Sequence, residues 1–310
     1  MTHFADRLAA LVAERRSQVV LGLDPDPAAL WPVASDGIVS PDAGADAAEA
    51  AAEAVRAHCA AAIDAAGGAC VAVKPQLACF ERLGAPGWAA LAAVRDHARA
   101  AGLLVLADGK RGDVPVTAAA YAQALVGSTP SPWGEVNGLD ADAFTANPLL
   151  GRDSLDPLID AAAHAGAGCF LLVNTSNPGA ADLQDLDAGG APLHERVAEL
   201  VAEAGATCVG DCGLSLVGAV VGATRPQRLA RLRELMPSAI FLMPGVGAQG
   251  GSAQALGPAF APHPAAGLVA ASRSIVGAHA ERGGDPATAA ASAAEDLRAL
   301  AWKSSAEQRG

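Results

Sequence analysis

The sequence predicts an α/β fold: a single (β/α)8 TIM barrel spanning residues 1–310, with extended loops at the C-terminal face of its strands. Three observations carry that prediction. Short aliphatic or β-branched runs alternate with Ala- and Leu-rich stretches, the pattern of parallel strands joined by crossover helices. Eight such runs occur, which suits a closed barrel better than an open sheet. The segments 25–45, 127–141 and 177–192 are rich in Pro, Gly and Asp, and each is expected to follow a strand. In a barrel, loops after strands build the reactive face.

The elements follow in chain order. A helix over roughly 2–16 opens the chain, with Thr2 placed as its N-cap. The strand runs are Val19–Asp24, Ala69–Lys74, Leu103–Asp108, Asp142–Ala146, Cys169–Asn174, Leu216–Ala223, Ile240–Pro244 and Leu268–Ser272. Helical stretches between them include Asp46–Ala66, Trp88–Ala101, Val116–Val126, Leu193–Ala204 and Pro226–Met236, and a last helix covers about Asp285–Trp302. The segment after Pro244 is too rich in Gly, Ala and Pro for a long helix.

Composition narrows the function. Hydrophobic residues make up 52% of the 310 residues, enough for a large core, and charged residues 17%. With 4% aromatics, that core is built from Ala, Val, Leu and Ile. A net charge of −12 repels nucleic acid and anionic lipid, so neither is expected as a partner. No apolar run is long enough for a membrane span. The start, Met-Thr-His-Phe-Ala-Asp-Arg, has no basic segment followed by an apolar one, so a cytoplasmic protein is expected. Six cysteines sit mostly in apolar runs, and Cys208 and Cys212 lack a second pair at zinc spacing. The seven histidines form no paired ligand motif.

Lysine usage is more telling. The chain has only three lysines, and Lys303 lies near its end. Lys74 and Lys110 instead stand at the ends of predicted strands. A lysine is a compact ammonium that can give up a proton, which an arginine cannot. Strand periodicity puts Leu104, Leu106, Asp108 and Lys110 on one face, so two leucines fill the barrel and two charges reach its mouth. The same parity brings Asp24 and Lys74 there. Such a cluster could be a structural set of ion pairs, but buried ion pairs stabilise poorly on balance. The spacing D-x-K-x-x-D, Asp108 to Asp113, together with Lys74 favours chemistry.

A second constellation lies after strands seven and eight. Residues 244–251 read Pro-Gly-Val-Gly-Ala-Gln-Gly-Gly, and 272–274 read Ser-Arg-Ser. Barrels often bind phosphate between these two loops. Glycines let backbone N–H groups approach an oxyanion, Gln249 can donate an amide hydrogen bond, and Arg273 can donate two. A Gly-rich stretch alone would be only a loop; its position beside an arginine makes it a phosphate site.

Leu-Asp-Pro at 23–25, Lys-Pro-Gln at 74–76, Asp-Gly-Lys-Arg-Gly-Asp at 108–113 with Thr117, Asn-Thr-Ser-Asn-Pro-Gly at 174–179, the Gly-rich loop and Ser-Arg-Ser resemble the orotidine 5′-phosphate decarboxylases, in the family's order. The longer loops resemble the longer bacterial branch of that family. The resemblance implies orotidine 5′-monophosphate (OMP) as substrate, UMP and CO2 as products, and no metal or other cofactor. It implies that Lys110 protonates C6, with Asp108 against the departing carboxylate. Lys74 and Asp24 would hold ribose hydroxyls, and Ser176 the pyrimidine amide. Gln249 and Arg273 would grip the phosphate, and Pro244 would be among the substrate-binding residues. It further implies a homodimer in which Asp113 and Thr117 reach into the partner's site.

Two alternatives stay open. Related barrels acting on sugar phosphates share D-x-K-x-x-D but use Mg²⁺; the Arg-Gly-Asp continuation and Asp24 in place of Glu argue against them. A barrel that binds a nucleotide without turning it over is a different class, and retention of every charged position argues against that.

Overall fold

The computed structural model describes residues 2–34, 36, 46–247 and 250–307. Eight parallel strands close into a barrel. They are β1 (Val19–Leu23), β2 (Ala72–Pro75), β3 (Leu104–Arg111), β4 (Ala143–Ala146), β5 (Gly168–Asn174), β6 (Val217–Val221), β7 (Phe241–Pro244) and β8 (Gly267–Ala271). Each pairs with its sequence neighbours, and β8 closes on β1 through Val19–Val269 and Leu21–Ala271. All eight strand expectations are met, with ends shifted by up to three residues.

The core suits the composition. Leu21, Val73, Leu106, Phe144, Phe170 and Phe241 are fully buried, with small residues between them. Gly168 and Gly218 make room for the large rings: a Cβ on Gly168 would lie 2.7 Å from Phe4, and one on Gly218 2.5 Å from Phe170. Phe4 packs edge-on against Phe170 with centroids 5.9 Å apart.

Phe4 belongs to the opening helix, Phe4–Arg15, which buries Phe4, Ala5, Leu8, Ala9 and Val12. Its N-cap is His3 rather than Thr2: the His3 ring accepts from the Ala5 N–H. The helix closes the bottom of the barrel. Arg7 reaches Asp142 at 2.6 Å and the Gly166 carbonyl, just before β4 and β5, and His3 meets the Cys208 carbonyl, before β6.

The segment 127–141 departs from expectation. It does not follow a strand. It follows the helix Pro115–Leu125, which returns the chain to the bottom of the barrel, and it forms an antiparallel hairpin of Ser128–Ser131 and Gly134–Asn137. It therefore lies at the end of the barrel away from the strand C-termini. Of 25–45, residues 35 and 37–45 lie outside the described residues. The segment 177–192 does follow a strand, and holds the short helix Ala181–Gln184.

Candidate active site

The C-terminal ends of the strands surround a pocket of about 530 Å³. Asp24, Lys74, Asp108, Lys110, Ser176, Pro244 and Arg273 line it, so seven of the ten expected site residues meet in one cavity. Asp113 and Thr117 do not line it. Gln249 lies outside the described residues.

Asp108 is the hub. Its Oδ2 lies 2.6 Å from Lys74 Nζ, and its Oδ1 lies 2.7 Å from Lys110 Nζ. The Asp108 and Lys74 side chains are 6% and 9% exposed, whereas Lys110 is 42% exposed and open to the cavity. Burial opposes the Asp108 charge, but the two ammoniums outweigh it and hold the carboxyl well below the usual carboxylate range. Burial likewise opposes the Lys74 ammonium, and Asp108 and Asp24 more than compensate, so its value is raised. The cavity thus carries a fixed plus–minus–plus array before anything binds. Asp24 is exposed at the rim and acts on Lys74 through space.

The third strand explains how Lys110 gets there. Parity runs regularly to Asp108, but the β3–β4 register shifts between Ala107 and Arg111. Within that irregularity Lys110 adopts a left-handed backbone, φ 49°. A side chain bearing a Cβ in that region costs about 1–3 kcal/mol, which the surrounding structure must offset. Arg111 is turned away: it pairs with Glu81 and lies over the Tyr121 ring.

Several site residues were not anticipated. Thr145, buried on β4, donates from Oγ1 to Asp108 Oδ1 at 2.9 Å and accepts from the Lys110 N–H at 2.9 Å. Gln76 lines the cavity with its amide 3.4 Å from Asp108 Oδ2. Gln184 accepts from Asn174 Nδ2 and the Thr175 N–H, and donates to Thr175 Oγ1. It thereby fixes the turn that presents Ser176. Gly222 lets that turn close on β6, since a Cβ there would lie 2.9 Å from the Ser176 backbone. Only the Thr-Ser-Asn-Pro-Gly motif hinted at this turn; the Gln184 signal was a polar residue in a loop without other pattern.

Opposite β3 in the ring stands β7. Pro244, Gly245 and Val246 line that side of the cavity, and Ser272, Arg273 and Ser274 extend it after β8. Gly247 has φ +76°, and a Cβ there would lie 2.8 Å from Ser274, so the two loops can meet only with glycine at that position. The array and the Gly–Arg side therefore face each other across the barrel mouth.

Among the described residues, no cluster of three or more His, Cys, Asp or Glu side chains is placed to hold a metal. The six cysteines are free.

A model of the "Orotidine 5'-phosphate decarboxylase / HUMPS family" matches residues 17–292. The chain belongs to this family. An orotidine 5′-phosphate decarboxylase of Rhodopirellula baltica is 43% identical over 282 residues, 90% of each chain. One from Deinococcus radiodurans is 48% identical over 204 residues, 66% of this chain and 70% of that one. The solved OMP decarboxylase of Leishmania donovani superposes with a TM-score of 0.70 at 34% identity, covering 97% of this chain and 99% of that one. Family membership accounts for the closed barrel. Among the described residues, no helix is long and apolar enough to cross a membrane.

Proposed function

We propose that this chain converts OMP to UMP and CO2 in pyrimidine biosynthesis, and that Lys110 carries the proton transfer. The chain is an orotidine 5′-phosphate decarboxylase by family and by its relatives' names. The observation that carries the residue roles is the Lys74–Asp108–Lys110 array facing a Gly-rich loop and an arginine across one cavity.

The chemistry is the loss of CO2 from C6 of the pyrimidine. The C6–carboxylate bond breaks, its electron pair stays on C6, and a proton must arrive there. Lys110 is the most exposed member of the Lys74–Asp108–Lys110 array, at 42% against 9% and 6%. Its ammonium neutralises the growing charge at C6 and then delivers a proton, which solvent later restores. Asp108 holds that ammonium and lies where the leaving carboxylate would sit. Lys74 and Asp24 hold the ribose hydroxyls, Ser176 the pyrimidine amide, and Gln249 and Arg273 the phosphate, with Pro244 lining the cavity as a further substrate-binding residue. Binding energy at the phosphate then orients the base against Lys110. No metal or organic cofactor enters this scheme.

The active unit is a homodimer, with the whole chain as one barrel domain per subunit. Asp113 and Thr117 do not line their own cavity and would be supplied to the partner's site. An apolar ledge supports this: Val114 and Val116 are 52% and 85% exposed, and Leu149 is 74% exposed. The two segments lie together, because Gly112 sits against Asn147 and Leu150. A second copy would cover that ledge.

The test is the loss of OMP absorbance with purified protein, with and without EDTA. EDTA-insensitive formation of UMP is expected. Folded, dimeric protein with no turnover, or turnover abolished by EDTA, would move the assignment to a sugar-phosphate enzyme or a nucleotide-binding barrel.

A further inference from the structure

We propose that Thr145 is a positioning residue for the decarboxylation, locking Lys110 and Asp108 into their reactive geometry; this rests on the role given to Lys110 above. The register shift between Ala107 and Arg111 takes the Lys110 N–H out of the regular β3–β4 ladder. A backbone N–H that leaves the ladder needs another acceptor, and one without any costs up to about 1–3 kcal/mol where water is kept out. The Thr145 hydroxyl supplies the acceptor, at 2.9 Å.

That contact dictates the direction of the hydroxyl proton. The Lys110 N–H can only donate, so Oγ1 accepts there, and its own proton points at Asp108 Oδ1, 2.9 Å away. Oδ1 is the same oxygen that holds Lys110 Nζ at 2.7 Å. One hydroxyl therefore ties the backbone of Lys110 to the carboxylate that grips the tip of the same residue. The loop of contacts is closed: Lys110 N to Thr145, Thr145 to Asp108, Asp108 to Lys110 Nζ. It also holds Lys110 at its φ of 49°, a conformation that must be over-determined to persist. Thr145 is 1% exposed, and its branched side chain has little rotamer freedom, so the hydroxyl has no other place to go.

The consequence is a displaced Lys110 and a slower reaction. A displacement of a reacting group by about 1 Å can cost roughly 100-fold in rate. Thr145→Val keeps the shape of the side chain and removes both hydrogen bonds. Thr145→Ser keeps the hydroxyl and loses only the methyl.

The experiment measures single-turnover OMP decarboxylation and UMP affinity for wild type, Thr145→Val and Thr145→Ser, with a crystal structure of Thr145→Val. The expected result is a rate about 10- to 100-fold lower in Thr145→Val, with UMP affinity changed less than about threefold. Thr145→Ser should recover to within about fivefold of wild type. If Thr145→Val does not fold, Thr145→Ala removes the hydroxyl without adding a methyl, and the same rate loss is expected. A wild-type rate in the variant that lacks the hydroxyl overturns the proposal. So does a Thr145→Ser variant as slow as Thr145→Val, which would make the methyl packing the cause. Failure of the wild-type chain to decarboxylate OMP would instead overturn the assigned reaction. The crystal structure then decides the positioning role by itself: Lys110 Nζ leaving Asp108 Oδ1 upholds it, and an unchanged contact overturns it.

Discussion

Lys74 and Asp108 form a buried ion pair, Nζ to Oδ2 at 2.6 Å, whose carboxylate has a second ammonium on its other oxygen. Removing Lys74 leaves that carboxylate, 6% exposed, with Lys110 as its one remaining ammonium. Lys74→Ala should therefore destabilise the fold by about 1–3 kcal/mol, the cost of leaving one buried carboxylate oxygen under-satisfied, besides any loss of activity. Denaturant unfolding monitored by circular dichroism checks this. A change under about 1 kcal/mol would mean that water reaches the pair freely.

The same pair sets a pH dependence with two opposite signs. Asp108 is depressed, because the two ammoniums outweigh the burial that opposes its charge. Its contribution to stability is complete above its ordinary value of 3.8 and is lost as pH falls toward the lower folded value. Lys74 is raised, because Asp108 and Asp24 outweigh its burial, so its contribution is complete below 10.5 and lost only as pH rises through the higher folded value. Wild type should exceed Asp108→Asn by a constant stability margin from about pH 5 to pH 9. Below the ordinary carboxyl value the margin should shrink. Unfolding midpoints across a pH series read it, and a margin that grows in acid would contradict the sign.

Arg273 sits on the side of the cavity away from Lys110 and should act mainly on the binding of phosphorylated ligands. Arg273→Ala is expected to weaken UMP by about 10- to 100-fold, the loss of charge-assisted hydrogen bonds worth about 1.5–3 kcal/mol. Uridine, which lacks the phosphate, should bind both proteins alike. Calorimetric titration of the two ligands separates these outcomes.

Asp113 tests the shared site. If it serves the partner's cavity, Lys110→Ala and Asp113→Ala subunits are each inactive alone but complement when mixed. A heterodimer has one site with both residues intact, so random mixing should restore about one quarter of wild-type turnover. No recovery after subunit exchange would place Asp113 in its own chain's site or outside the chemistry.

Much of this was legible in the residues, and the misses have physical causes. Eight strands could be found because parallel strands buried on both faces read as continuous aliphatic runs. Lys74, Asp108 and Lys110 stood out because charge directly after such a run has nowhere to go but the barrel mouth. The hairpin at 128–137 was missed because Pro130, Ser131 and Pro132 mark turns more strongly than strands. Thr145 was missed for the opposite reason: a β-branched residue inside a strand reads as strand propensity, and its hydroxyl partners come from another strand. The left-handed backbone of Lys110 has no sequence signal, since glycine rather than lysine marks such positions. Parity counting reached the right location for Lys110, although the regular register it assumes ends at Ala107.

In the proposed reaction the Lys110 ammonium does the chemistry while the surrounding residues bind the substrate. The most direct measurement pairs single-turnover OMP decarboxylation with UMP affinity in Lys110→Ala. A rate at least about 1,000-fold below wild type is expected, with UMP binding still readily detected. Turnover within about tenfold of wild type would contradict it and shift the proton donor to another group in the cavity.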